Sequence, residues 1–131
     1  MTTAYIDGGS RGNPGVAGYG ARIEDGRGAL LAELHGALGV TTNNVAEYHG
    51  LLAALEWAAD HGHRQLRVRS DSELLVKQMR GEYKVRNPGL LPLYRRACGL
   101  VLRLDRVTFE HIRRELNAEA DRLANLAMDG Q

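Results

Sequence analysis

Gln65-Leu-Arg-Val-Arg-Ser-Asp71 alternates apolar and charged residues and then stops on an acid, the pattern of a strand with one buried face. Thr3-Ala-Tyr-Ile-Asp7 has the same form: short, alternating, partly β-branched and ending on an acid. Between them, Asn44 to His61 carries Leu51, Leu55 and Ala58 at i, i+4 and i+7, with Leu52 and Ala59 beside them. That spacing makes one apolar helical face. Thr41, Thr42 and Asn43 are candidate N-caps, and Gly62 is the stop. If this helix is the crossover between two parallel neighbours, the strands lie about 4.8 Å apart. Asp7 and Asp71 then stand side by side.

Working outward, Gly8 to Gly15 reads as a loop, and Gly18–Glu24 and Ala29–Leu38 as strands around the hairpin signal Asp25-Gly26. A helix is expected from Asp71 to about Arg80, with Asn87-Pro88 as a boundary before a helical stretch from Leu91 to Leu104. Val107–Ile112 reads as a strand. Leu116, Ala120, Leu123, Ala124 and Ala127 then recur at helical spacing. The order βββαβααβα, or the same with one broken helix in place of the paired two, predicts an α/β fold with a mixed sheet, an antiparallel hairpin followed by strands reached through helical crossovers.

The 131 residues fit a single domain spanning 1–131. Hydrophobic residues at 44% and charged residues at 25% exclude disorder, collagen-like repeats and a disulfide scaffold. Cys98 is the lone cysteine, so no disulfide partner and a reducing compartment are expected. No apolar run approaches the ~18 residues of a membrane helix, and Met1–Tyr5 lacks a leader pattern. A cytoplasmic chain without a membrane partner is expected. Net charge is +1, but residues 1–65 sum to −3 and residues 66–131 to +4. A mildly basic half fits either a phosphate-contacting face or an unevenly charged solvated surface.

The acids are more telling. Glu47 is expected in the first turn of the long helix, where the dipole tolerates an anion. Asp121 interrupts the apolar side of the last helix, beside Ala120 and Ala124. Asp7, Glu47, Asp71 and Asp121 on four elements, without Cys or paired His, match an oxygen-ligand site for Mg²⁺ or Mn²⁺. Each also has a structural reading: Asp7 as a turn residue, Asp71 as an N-cap, Glu47 as a dipole partner, Asp121 as a surface acid beside Arg122. Spacing leaves both open. His35, His49, His61 and His63 lack zinc-site spacing, and Trp57 and Phe109 read as packing residues.

Tyr5-Ile-Asp7-Gly-Gly-Ser-Arg-Gly-Asn13-Pro-Gly15, Thr42-Asn-Asn-Val-Ala-Glu47, Ser70-Asp71-Ser72 and Asn117-Ala-Glu-Ala-Asp121-Arg-Leu-Ala124 together resemble the type 1 ribonuclease H family. The resemblance implies a ribonuclease H-like fold with a five-stranded mixed sheet. It further implies endonucleolytic hydrolysis of RNA paired to DNA, leaving 5′-phosphate and 3′-hydroxyl ends, by a monomer. Matched position by position, Asp7, Glu47, Asp71 and Asp121 correspond to metal-binding carboxylates for two Mg²⁺ ions, with Mn²⁺ as substitute, ~3.5–4 Å apart. Glu47 falls where a 2′-hydroxyl distinguishes RNA from DNA. Asn13 and Asn43, with Asn44 beside them, correspond to partners of sugar and base edges. Thr42 corresponds to a residue gripping a DNA phosphate, and Asn87 is expected to join it. Turn chemistry is the alternative for Asn13-Pro14 and Asn87-Pro88.

The chain departs from the pattern in three places. The loop His found shortly before the last Asp of many members is missing from Arg113-Arg114-Glu115-Leu116; His111 comes earlier, at a strand end. Arg114 reads as a phosphate contact or a solvated loop residue. Gly81 to Gly89 carries only Lys84 and Arg86, which resembles the short branch without the full basic protrusion and implies modest, salt-sensitive affinity. Val40 stands where some relatives place an Arg. Two alternatives remain beside the hybrid-cutting enzyme: a broader nuclease that also cuts double-stranded RNA, and a silent module that binds nucleic acid. Four intact acids argue against silence.

Overall fold

The computed structural model describes residues 1–131 throughout. Strands β1 (Thr2–Gly12), β2 (Gly15–Glu24), β3 (Leu30–Thr41), β4 (Gln65–Ser70) and β5 (Arg106–His111) form one sheet in the order β3-β2-β1-β4-β5. Helices α1 (Asn43–Asp60), α2 (Glu73–Met79) and α3 (Leu91–Leu102) make the crossovers. A 3-10 turn at Arg114–Leu116 leads into α4 (Ala118–Asp129). β1 is antiparallel to β2 and parallel to β4, and β4 is parallel to β5. The expected mixed α/β sheet and its element order are what forms.

The first strand does not stop at Asp7. β1 runs on to Gly12 because Gly8, Gly9, Ser10 and Arg11 pair with Tyr19, Gly18, Ala17 and Val16 of β2. What ends beside the acids is the parallel ladder, whose last rung is Ile6↔Ser70. Asp7 and Asp71 therefore stand side by side, one residue past that rung. α1 begins at Asn43, so Glu47 lies just beyond the first turn, and the dipole reading of Glu47 does not hold. α4 begins only at Ala118, which leaves Leu116 in the 3-10 turn and 66% exposed rather than on the helix's apolar face.

Thr42 is the N-cap that α1 uses, its hydroxyl accepting from the Val45 N–H at 3.3 Å. Gly62, at φ +74°, provides the left-handed turn beyond the helix. Successive strand residues face opposite sides of a sheet. In β1, a Cβ on Gly8 would meet Ala46 and Glu47 of α1, and one on Gly9 would meet Met128 of α4. The two helices thus cover opposite faces. Ile6, Val68, Leu51, Leu55, Leu75 and Phe109 are buried on the α1 side, and the buried Tyr48 hydroxyl donates to Gln78 Oε1 at 2.7 Å, pinning α1 to α2. Trp57 packs at the core's margin with the His61 and His63 rings 4.4 and 4.8 Å away. Between α2 and α3 the chain makes no further helix, so the expected short connector is present, with Lys84 and Arg86 exposed on it. No helix is long and apolar enough to cross a membrane.

Candidate active site

Where the β1–β4 ladder ends, the surface opens into a cleft of about 830 Å³ lined by Asp7, Glu47, Asp71 and Asp121. Each acid arrives by a different route. Asp7 and Asp71 are delivered one residue past the last rung of the parallel β1–β4 ladder. Glu47 is delivered by a close approach: a Cβ on Gly8 would lie 2.3 Å from the Ala46 carbonyl carbon and 2.4 Å from the Glu47 nitrogen, so only glycine lets α1 sit there. Asp121 depends on a second such approach, since a Cβ on Gly20 would lie 2.6 Å from the Ala120 carbonyl oxygen and the Ala124 nitrogen.

Crowding four acids has an electrostatic consequence. Burial, then the charges of Asp71 and Asp121, push Asp7 up to about 8, against the opposing pull of the Gly8 N–H. Burial also pushes Glu47 up to about 7, with the Ser72 hydroxyl pulling back and Asp71 adding to the rise. Asp71 is raised by burial too, moderated first by Arg114. The protein alone therefore keeps protons in the cleft near neutral pH, and a cation is what would let these groups ionise together.

No three His, Cys, Asp or Glu side chains close into a ready-made metal cage. The open, all-oxygen cluster fits Mg²⁺, which keeps several waters and is held by one or two carboxylates together with substrate phosphates. A zinc-like site would need nitrogen or sulfur donors that the acids do not supply.

The sign of the pH effect follows. Asp7 and Glu47 start from 3.8 and 4.5 and rise on folding. The stability they contribute is fully present below those starting values and lost as pH climbs through about 7 to 8. The metal-free protein is expected to melt several degrees lower at about pH 8.5 than at about pH 5, and saturating Mg²⁺ is expected to flatten that slope. A metal-free profile that is level over this range would contradict it.

The amide residues divide. Asn43 lines the cleft; its Oδ1 accepts from the Ser10 N–H at 2.7 Å and lies 3.0 Å from the Ser10 hydroxyl. That leaves its amide nitrogen as the group free to donate. The Asn13 Oδ1 accepts from the Asn43 N–H at 3.2 Å, which orients a second exposed amide beside the first. Thr42 adjoins them, its oxygen engaged as a cap. Asn44 is exposed and does not line the cleft, and Asn87 spends its Oδ1 on the Gly89 N–H at 2.7 Å, the turn chemistry foreseen as its alternative.

His111 and Arg114 both line the cleft, on the segment that forms one wall. Sequence reading did not single out Asn125; Ser10 and Asn117 stand within the quoted motifs. Ser72 appeared only inside a motif; the structure makes it the N-cap of α2 and a neighbour of Glu47. Its Ser-after-Asp position before a helix was the available signal.

The family described as reverse-transcriptase-like matches residues 5–127. A bifunctional protein of Mycobacterium tuberculosis is 50% identical over 94% of this chain and 34% of its own length. The chain thus spans about a third of the first curated relatives it matches. The ribonuclease H1 crystal structure from Halobacterium salinarum superposes with a TM-score of 0.95, at 42% identity, covering 99% of this chain and 98% of that one. A ribonuclease H1 solved in complex with an RNA/DNA hybrid gives 0.95 at 44% identity, again covering 99% and 98%.

Proposed function

Because the chain belongs to the ribonuclease H family, we propose that it hydrolyses the RNA strand of RNA–DNA hybrids endonucleolytically, leaving 5′-phosphate and 3′-hydroxyl ends. The observation that carries this reading is the meeting of Asp7, Glu47, Asp71 and Asp121 in one open cleft. A relative of matching length is a ribonuclease H1 bound to an RNA/DNA hybrid, which supports the same substrate class here.

Asp7, Glu47, Asp71 and Asp121 would hold two Mg²⁺ ions, or Mn²⁺ in their place. Bound there, the ions would supply Lewis acidity to lower the pKa of an attacking water and to stabilise the leaving 3′-oxygen. The protein's own share is positioning. Glu47 faces the 2′-hydroxyl of the RNA strand, the group that separates RNA from DNA. The side-chain amides of Asn43 and Asn13 donate to acceptors in the minor groove, and Thr42 meets a phosphate of the DNA strand. Arg114, on the cleft wall beside His111, supplies positive charge near the scissile phosphate. The short connector with only Lys84 and Arg86 makes affinity modest and salt-sensitive. The enzyme works as a monomer.

The substrate class is tested by offering one labelled RNA sequence as hybrid, as double-stranded RNA and as single strand. Cutting of the hybrid alone is expected. Equal cutting of double-stranded RNA would favour the broader nuclease, and binding of the hybrid without cutting would favour a silent module.

A further inference from the structure

We propose that Asn117 is a positioning residue: its side-chain amide latches the start of α4 to β1 and thereby sets where Asp121 stands relative to Asp7. This rests on the carboxylate reading above. Three of the four acids are fixed by other means, Asp7 and Asp71 by the last rung of the parallel ladder and Glu47 by the close approach at Gly8. Asp121 sits on a helix that shares no ladder with the sheet. The contacts of α4 with Gly18 and Gly20 set how near the helix lies to the sheet, and exposed ion pairs such as Arg11–Asp129 and Arg122–Glu33 tie its outer side to β1 and β3, where solvent weakens them.

Asn117 supplies the buried constraint at the cleft end of the helix. Its Nδ2 donates to the Ile6 carbonyl oxygen at 2.8 Å in a buried bond, at the residue immediately before Asp7. Its own carbonyl oxygen accepts from the Asp121 N–H at 3.1 Å. One residue thus links the backbone at Asp7 to the backbone at Asp121.

What Asn117 forgoes points the same way. It occupies the N-cap of α4, where Asn ordinarily accepts from the helix's own N–H groups, yet it makes no side-chain cap bond. Its Oδ1 is buried without a partner, on a residue only 1% exposed, an arrangement that destabilises the fold. A residue serving stability alone would cap the helix. Asn117 instead spends its donor on Ile6, which is intelligible if the quantity it serves is the separation of Asp7 from Asp121.

The test separates those two roles with Asn117→Ser, which can cap the helix from the same position but has no amide to reach Ile6. Mn²⁺ binding is measured by calorimetry on the protein without nucleic acid, alongside melting and hybrid-cleavage kinetics. Asn117→Ser is expected to melt near wild type while Mn²⁺ affinity falls roughly tenfold and kcat drops with KM for hybrid unchanged. Asn117→Ala is expected to lose the same affinity. Leu123→Ala, a buried change on the same helix, is expected to lower the melting temperature without that loss. Wild-type Mn²⁺ affinity in Asn117→Ser, or its failure to fold, would overturn the positioning role and leave the carboxylate site standing. No Mn²⁺ binding by the wild type would remove both.

Discussion

Asp7→Asn is expected to abolish cleavage, by on the order of 10³-fold or more, equivalent to about 4 kcal/mol of transition-state stabilisation, while leaving a folded protein. Asp7 is the most perturbed acid of the cleft, pushed up to about 8 by burial and by the charges of Asp71 and Asp121. The amide keeps the shape of the side chain and removes the charge that would hold a cation. The same removal relieves repulsion. Free of metal at about pH 8, Asp7→Asn is therefore expected to melt higher than wild type, by about 5 °C for a domain of this size. Circular-dichroism melts beside a cleavage assay measure both. Asp71→Asn is expected to lose cleavage as completely. Retained turnover in either purified variant would refute the metal-site assignment, and a large drop in the melting temperature of Asp7→Asn would refute the electrostatic account.

Gly8→Ala carries the second large effect, through packing rather than charge. The added methyl would stand 2.3 to 2.4 Å from the backbone of Ala46 and Glu47, nearer than any Cβ contact tolerates. Backbone cannot swing aside as a side chain end can, so α1 has to lift from β1 and carry Glu47 with it. A destabilisation of about 3 kcal/mol is expected from the overpacking. Cleavage is expected to fall roughly 100-fold, the loss typical of a misplacement of about 1 Å in a catalytic constellation. Gly99→Ala is the control. That glycine lies in α3 with nothing within 4 Å of a Cβ, so the substitution is expected to stabilise by about 0.5–1 kcal/mol, as Ala for Gly does in an exposed helix. A Gly8→Ala protein with wild-type activity and melting temperature would show that the close approach is not what places Glu47.

The contrast between these glycines explains what was legible in the chain. β4 and the crossover helix announce themselves, because alternation over Gln65–Ser70 and the i, i+4, i+7 spacing of Leu51, Leu55 and Ala58 are local patterns. The second half of β1 is not a local pattern. Gly8 to Gly12 has no apolar period, and its strand geometry is imposed by pairing with β2. The four acids were legible through the motifs that contain them. Glu47's position past the first turn of α1 was not, since it turns on where the helix starts. Asn117 was visible only as the first residue of a motif; that its amide would cross to Ile6 depends on a contact 111 positions away in sequence. Asn87 shows the reverse case, where local turn chemistry at Asn87–Gly89 prevails over the role that motif matching suggested.

These carboxylates, loaded with a divalent ion, are proposed to cut RNA paired to DNA. The most direct measurement is the cleavage rate of an RNA–DNA hybrid labelled on the RNA strand as Mg²⁺ or Mn²⁺ is titrated in, with EDTA as the reversal. No cutting is expected without metal, saturable cutting of the RNA strand with it, and complete loss on chelation. Folded protein that binds the hybrid yet cuts with neither metal, or cutting that persists in EDTA, would contradict it.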